Sequence, residues 1–273
     1  MMRNRFYDWV GFNGDEIATS ILNVKRLLSQ EIPISSNTWQ SQSISEKPEM
    51  ATLEQQNAII GIKIPDSIDD LQELVRPNLP WAEEHFQERI SGVPYNPPPS
   101  SSNWPYAQQD NAEHKNGKVF SHSYPERFWP KQANVSMSEL FTHYGIRYAY
   151  GDLDDVINLL KRDLHTRQAF LPIWFPEDTG AAGEAIQRVP CTLGYHFMVR
   201  NGQLHINYYM RSCDIMRYLV DDMYMAARLA QWVRYKLNVN IHMGELTMFI
   251  SSLHMFVGDI PIVKLQSREQ VFE

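Results

Sequence analysis

The chain has 273 residues, 43% of them hydrophobic and 12% aromatic, which is enough to bury the core of one large domain or two small ones. A formal net charge of -7 argues against a stable nucleic-acid partner, although single arginines can still bind one small phosphate. Two cysteines exclude a disulfide framework and a cysteine-rich metal site, and no apolar run is long enough for a membrane span or signal peptide. We therefore expect a cytoplasmic protein without a metal or a membrane partner.

The first half of the chain predicts two helices separated by a polar segment. Aliphatic residues share one helical face between 15 and 28, and the Ser-, Gln- and Glu-rich segment 30–51 follows as a surface loop. Residues 80–92 predict a helix that ends at glycine. The Pro- and Ser-rich segment 93–117 is a long loop, and its aromatic residues favour a packed cover over a free linker: Tyr95, Trp104 and Tyr106.

The second half carries stronger signals. Residues 151–164 predict a helix with acids early and bases late, as the helix dipole favours, and 168–175 predict a short apolar strand. Residues 188–214 contain two alternating runs around Asn201-Gly202, a dipeptide typical of tight hairpins. Two further elements follow, a helix at 218–238 and a strand or turn at 248–266.

The ends of this hairpin carry side chains that a core-filling ribbon would not need. Cys191 follows proline at the start, and Arg211-Ser212-Cys213-Asp214 closes the second strand. A thiol must ionise to act as a nucleophile, and a neighbouring guanidinium favours the thiolate. We interpret Cys191 as a nucleophile beside Arg211. The alternative, a buried inert cysteine, is the interpretation we favour for Cys213.

Six motifs in this order resemble the thymidylate synthase family, which includes pyrimidine hydroxymethylases. They run from about residue 144 to 266: YGIRY, LDDVINLLKRD, TRQAFLPIW, PCTLGYHFMV, NGQLHINYYMRSCD and LHMF. The resemblance implies an α/β (α+β) fold, a mixed sheet flanked by helices, in a single domain over 1–273. It also implies a homodimer formed through back-to-back sheets. Residues 1–120 match the family poorly.

The resemblance implies that a pyrimidine nucleoside monophosphate binds at these motifs. Cys191 would attack C6 of the base, and Arg211 and Ser212 would hold the phosphate. Arg167 would reach the phosphate bound by the other subunit. The family has two successive arginines there, whereas this chain has Arg167-Gln168, which weakens the clamp. A surface salt bridge is the alternative for either arginine.

Other roles are also implied by the resemblance alone. Tyr144 would lie beside the base, His254 would face the sugar hydroxyl, and Asp214 would orient the ring of methylenetetrahydrofolate, the cosubstrate. A core histidine is the alternative for His254, and Phe256 replaces the tyrosine usual in the family. A glutamate before Gly92 would order the catalytic water; Glu84 is our choice and Glu88 is the alternative. The aromatic segment 124–132 either lines the folate side or is a packed loop.

Asp222 falls where the family carries its base-reading asparagine. An asparagine amide matches uracil, whereas a carboxyl group can accept from the cytosine amino group and donate to N3. In the family this substitution occurs in enzymes that hydroxymethylate dCMP or CMP. The alternative is that Asp222, or its neighbour Asp221, only caps the following helix.

The resemblance leaves three functions open. We favour a folate-dependent hydroxymethyltransferase acting on dCMP or CMP, because the chain ends a few residues after 264–266, where family synthases carry a longer C-terminal lid that excludes water. The alternatives are a thymidylate synthase acting on dUMP and a non-catalytic nucleotide- or RNA-binding relative. A phage-encoded enzyme of a bacterial cytoplasm, serving DNA modification, is compatible with the first.

Overall fold

A seven-stranded mixed sheet organises the part of the chain that the computed structural model describes, residues 9–11, 17–34, 38–39, 42–105, 115–116, 119–136, 151–176, 178–179 and 189–269. The strands are β1 Trp9–Gly11, β2 Thr38–Trp39, β3 Gln42–Ser43, β4 Thr52–Lys63, β5 Lys115–Asn116, β6 Val119–Phe120, β7 Phe170–Pro172, β8 Thr192–Arg200, β9 Gln203–Met210, β10 Cys213–Asp214 and β11 His242–Phe256. The order across the main sheet is β1-β4-β11-β9-β8-β7, with β10 paired to β11. Strands β2 and β3 form one small separate ribbon, and β5 and β6 form another.

Helices flank this sheet. They are α1 Ile17–Leu28, α2 Ile68–Val75, α3 Trp81–Ile90, α4 Tyr124–Phe128, α5 Pro130–Ser136, α6 Leu153–Arg162, α7 Leu219–Leu237 and α8 Ile260–Glu269. Helix α7 contacts β9, β11, α2, α3 and α6, so it forms the centre of the helical layer. The predicted fold class, a mixed sheet flanked by helices, is confirmed. No helix among the described residues is long and apolar enough to cross a membrane.

The hairpin of β8 and β9 is built as its sequence pattern predicts. The strands pair antiparallel, and the turn residues Asn201 and Gly202 both have positive φ, at 51° and 72°. This conformation suits asparagine and glycine because other side chains are strained there. Alternate side chains of both strands point into the core and are fully buried, including Phe197, Val199, Ile206 and Tyr208. The strand register therefore brings the start of β8 beside the end of β9.

Helix α7 confirms the prediction at 218–238 and carries two acids into the interior. Leu219–Leu237 is buried over most of its surface, and Asn238 ends it in the left-handed conformation. Asp221 and Asp222 lie in its first turn and are both buried, at 2% and 9% exposure. Acids at this end are compatible with the helix dipole, but their burial requires partners inside the protein.

The structure corrects the prediction at the C-terminal side. Strand β11 ends at Phe256, and Ile260–Glu269 is a helix rather than a continuing strand. Pro261 lies in its first turn, where proline costs no helical hydrogen bond. The sequence analysis also missed β4 and α2. Ser67 is the N-cap of helix α2, and its hydroxyl accepts from the Asp70 N–H at 3.1 Å.

The predicted cover is packed over its described part, 93–105. A short 3₁₀ turn at Pro99–Asn103 lies against α3, and the Trp81 indole donates to the Ser100 carbonyl at 3.1 Å. Trp104 stacks on Tyr218 with ring centroids 5.1 Å apart. These contacts confirm a packed segment rather than a free linker. Tyr106 lies outside the described residues.

Candidate active site

The pairing of β8 with β9 places the thiol of Cys191 beside Arg211 and Ser212. Residue 192 pairs with residue 210, and the Arg211 N–H donates to the Cys191 carbonyl at 2.9 Å. The Cys191 Sγ lies 3.8 Å from both Arg211 Nη2 and Ser212 Oγ. Cys191 is half-buried, whereas Cys213 is buried at 2% exposure. Burial raises the pKa of the Cys213 thiol well above its ordinary value, so Cys191 is the better nucleophile.

Main-chain carbonyls hold the Arg211 guanidinium in place. Its Nε donates to Pro190 at 2.8 Å, and its Nη2 donates to Val189 at 3.1 Å. The guanidinium also lies over the Trp174 ring, 5.7 Å from the centroid. No described residue accepts a hydrogen bond from Nη1. The group is therefore rigidly positioned and keeps donors for an anionic ligand.

Asp222 is a buried carboxyl group whose ionisation lies near neutrality. Burial raises its pKa to about 7, although the Arg89 charge and the Tyr208 hydroxyl oppose that rise. It is not the N-cap of α7, because that position is Tyr218 and the helix begins at Leu219. Asp221 instead accepts from the backbone and side-chain nitrogens of Asn78, both at 2.8 Å. The two adjacent acids thus have different tasks.

A chain of hydroxyl groups leads from the region of Cys191 towards this carboxyl group. The Tyr124 hydroxyl lies 3.0 Å from Thr192 Oγ1, which lies 2.8 Å from the Tyr208 hydroxyl. The Tyr208 hydroxyl also acts on Asp222 and lowers its pKa. Each hydroxyl can donate one proton and accept another, so the chain can pass a proton between Tyr124 and Tyr208. Burial, and then the charge of Asp222, raise the pKa of Tyr124, which keeps this hydroxyl protonated.

Sequence reasoning missed Arg89, the polar side chain that α3 turns towards this cluster. Arg89 is 4% exposed, and its guanidinium carbon lies 4.1 Å from the centre of the Tyr124 ring. The signal that could have revealed it is helical spacing, since Phe86 and Arg89 share the inward face three residues apart. The same spacing turns Glu84 outward, where it is exposed. This exposure lends no support to the role of Glu84 in ordering a water molecule, which stays a prediction.

Glu88, the alternative to Glu84, is already engaged elsewhere. Its carboxylate accepts from the Ser100 N–H and from the Ser100 hydroxyl, both at 2.6 Å. It also lies 3.2 Å from His85 Nδ1. These contacts fix the cover segment to α3, which gives Glu88 a structural task.

Comparison with known proteins agrees with the arrangement around Cys191. The sequence profile of the thymidylate synthase family matches residues 103–273. The chain belongs to the thymidylate synthase family. A relative from Methanothermobacter thermautotrophicus, provisionally named a thymidylate synthase, is 28% identical over 167 residues, which cover 56% of this chain and 72% of the relative. The bifunctional dihydrofolate reductase-thymidylate synthase of Paramecium tetraurelia is 25% identical over 134 residues, 45% of this chain and 28% of that protein.

Thymidylate synthase family members bind a nucleotide and use methylenetetrahydrofolate as cosubstrate. Asp214, the residue expected to contact folate, is buried beside Arg217. It accepts from the backbone N–H groups of Met216 at 2.8 Å and Arg217 at 3.3 Å, and from Arg217 Nη1 at 2.9 Å. Arg217 also binds Asp259 with both terminal nitrogens. These three hydrogen bonds hold Asp214 in place. Because a carboxylate has about four acceptor positions, Asp214 also retains capacity for a folate N–H.

His254 lies beside Asp214 in the sheet, because β10 pairs with β11 there. Burial lowers its pKa, although the charge of Asp214 opposes that effect. Its Nδ1 lies 3.4 Å from the Ser252 carbonyl, and its ring meets Phe256 edge-on at 5.8 Å. Its half-buried ring and neutral form suit a hydrogen bond with a sugar hydroxyl.

Arg167 is not brought into the cluster by this single chain. Arg167 is exposed on the segment between α6 and β7, and its carbonyl contacts His196 Nε2 at 3.0 Å. Tyr144 lies outside the described residues. Over the described ranges, no group of three or more acidic, histidine or cysteine side chains is arranged to hold a metal.

Proposed function

We propose that this chain transfers a hydroxymethyl group from methylenetetrahydrofolate to C5 of a cytosine nucleotide, dCMP or CMP. The observation that carries the proposal is the buried carboxyl group of Asp222, whose pKa is raised to about 7. Such a group can be protonated when cytosine binds, donating to N3 while its other oxygen accepts from the amino group. Proton donation to N3 makes C6 more electrophilic.

Nucleophilic attack is the task of Cys191. Its thiolate adds to C6, and the electron pair of the C5–C6 bond moves towards C5 and the protonated N3 side of the ring. Arg211, 3.8 Å from the sulfur, favours the thiolate electrostatically. Together with Ser212 it also binds the nucleotide phosphate, and in the homodimer implied by family resemblance Arg167 of each subunit would reach the phosphate bound by the other.

The folate cosubstrate supplies the one-carbon unit that becomes attached to C5. Asp214 would hold its ring, since its own position is fixed by Arg217. His254 would bind the sugar. After attachment, C5 must lose its hydrogen as a proton. The Tyr124 hydroxyl, hydrogen-bonded to Thr192 and through it to Tyr208, would take up that proton. It would return the proton to the amine of tetrahydrofolate as the bond between this amine and the methylene carbon breaks. The exocyclic methylene is then left on C5, and Asp222 is still ionised.

A second candidate function is methylation of dUMP, because the two relatives described above carry thymidylate synthase names. Its supporting chemistry is that a protonated carboxyl group also matches uracil, accepting from N3–H and donating to O4. The two functions differ in what reaches the exocyclic methylene on C5: water gives hydroxymethyl, and hydride gives methyl. A non-catalytic relative is disfavoured by the close approach of Cys191 to Arg211.

Tritium release from C5 tests the proposal. We expect the protein to release tritium from [5-³H]dCMP or [5-³H]CMP only when methylenetetrahydrofolate is present, and to yield the 5-hydroxymethyl nucleotide by mass spectrometry. The Cys191→Ala variant is the matched control and should release none. Release from labelled dUMP alone, with a methyl product, would establish the second candidate. Absence of release from every labelled nucleotide would favour a non-catalytic protein.

A further inference from the structure

Arg89 presents a buried positive charge whose Nε donor is not used by any described residue. The side chain is 4% exposed, and no described residue offers an acceptor to its Nε. Its position is fixed, because its carbonyl accepts from the Trp129 indole at 2.8 Å and its guanidinium lies against the Tyr124 ring. Burying a cation without hydrogen bonds is costly, so the group is expected to serve a polar ligand.

Asp222 is the opposite charge that faces this guanidinium. The guanidinium of Arg89 lies 4.1 Å from the Tyr124 ring centre, and its charge also acts on Asp222 and Asp221. Within the described part of the chain the two charges do not form a direct ion pair, since no Arg89 nitrogen lies within 4.0 Å of an Asp222 oxygen. A small group that accepts from Arg89 and donates to Asp222 would satisfy both. Water has this combination of donor and acceptor sites.

We propose that Arg89 and Asp222 together bind the water molecule that adds to the exocyclic methylene group. This inference rests on the hydroxymethyl transfer proposed above and names the residues that decide its product. On α3 the side chain that faces the site is thus a guanidinium, whereas the sequence analysis expected a glutamate there.

The addition step balances with these two groups. The water oxygen forms a bond to the methylene carbon, and one water O–H bond breaks as its proton passes to the Asp222 carboxylate. The π electrons of the exocyclic double bond shift into the ring. They restore the C5–C6 double bond as Cys191 leaves C6 as a thiolate. Asp222 is available as the acceptor once it has given its proton to N3, and Arg89 holds the water by one lone pair, which leaves the other for attack.

The test measures how the methylene intermediate partitions between water and an added thiol. Wild-type protein, Arg89→Gln and Arg89→Lys are incubated with [5-³H]dCMP, methylenetetrahydrofolate and 2-mercaptoethanol. Tritium release reports formation of the intermediate, and mass spectrometry gives the ratio of 5-hydroxymethyl to 5-thioether product. Arg228→Lys is the matched control, because Arg228 is a buried arginine of α7 that pairs with Glu83 outside the cluster.

We expect Arg89→Gln to retain folate-dependent tritium release while its ratio of hydroxymethyl to thioether product falls on the order of 10²-fold, since misplacing a reacting group costs about that much. Arg89→Lys should show a smaller fall, and Arg228→Lys should keep the wild-type ratio. Because the ratio depends only on molecules that turn over, partial unfolding does not change it. An unchanged ratio in Arg89→Gln would overturn the inference, as would loss of tritium release in both Arg89 variants while Arg228→Lys remains active. If wild-type protein releases no tritium, the proposed function itself fails.

Discussion

Replacing Asp222 by asparagine should make the protein more stable at neutral pH. The folded protein holds the pKa of Asp222 at about 7, against an ordinary value of 3.8, because the group is buried. Between these values the folded state binds a proton that the unfolded state has released. Stability therefore falls as the pH rises through this window, and the loss is complete above about pH 7. At ~1.4 kcal/mol per pKa unit, the cost is on the order of 4 kcal/mol.

Urea unfolding of the wild type and Asp222→Asn, measured from pH 4 to pH 8, gives the difference between their free energies of unfolding directly. Asparagine has the shape of the protonated acid, so the two free energies of unfolding should nearly agree at pH 4. They should diverge by a few kcal/mol in favour of the variant at pH 8. The exposed Asp154→Asn serves as the control and should show no such divergence. Parallel curves for Asp222→Asn and the wild type would refute a buried carboxyl group that titrates near neutrality.

Three further outcomes follow from contacts in the structure. Cys191→Ala should abolish tritium release while calorimetry still detects nucleotide binding, and the control Cys213→Ala should remain active. Activity in Cys191→Ala would show that Cys191 is not the nucleophile. Thr192→Val interrupts the hydroxyl chain and should slow folate-dependent tritium release by about 10²-fold, so an unchanged rate would exclude that proton route. Asp178→Asn leaves the buried Arg127 guanidinium without its charged partner and should cost about 3 kcal/mol in urea unfolding, whereas a cost near zero would show that the ion pair contributes little.

Local patterns were sufficient for the hairpin and for α7. The Asn201-Gly202 turn and the alternating runs on either side determine the register of β8 and β9, and that register alone brings Cys191 to Arg211. The two ends of one hairpin meet because of the local sequence of the turn and its flanking strands. It could therefore be predicted without knowledge of the rest of the fold.

Contacts between distant segments were not predictable in the same way. Arg89 and Tyr124 come from α3 and α4, and only the packing of these helices brings them to Asp222 on α7. A motif search treats Glu84 as the chemical residue of α3, because it cannot see which helical face is covered. The burial of Asp222, which sets its pKa, is likewise a property of tertiary packing.

The helix at the C-terminal side was missed for a different reason. Residues 260–263 form an apolar run with one proline, a composition compatible with a strand end or with a first helical turn. Asp259 favours the helical outcome, since its carboxylate accepts from the Phe256 N–H at 3.0 Å and binds Arg217. That long-range ion pair is absent from any local pattern.

The central claim is that Cys191 forms a covalent bond with the pyrimidine ring. Incubation with 5-fluoro-dCMP and methylenetetrahydrofolate tests it directly, because fluorine at C5 cannot leave as a cation and the adduct accumulates. Mass spectrometry of the intact protein should show the added mass of nucleotide and cosubstrate, and peptide mapping should place it on Cys191. An unmodified protein, or a label on Cys213, would contradict the account.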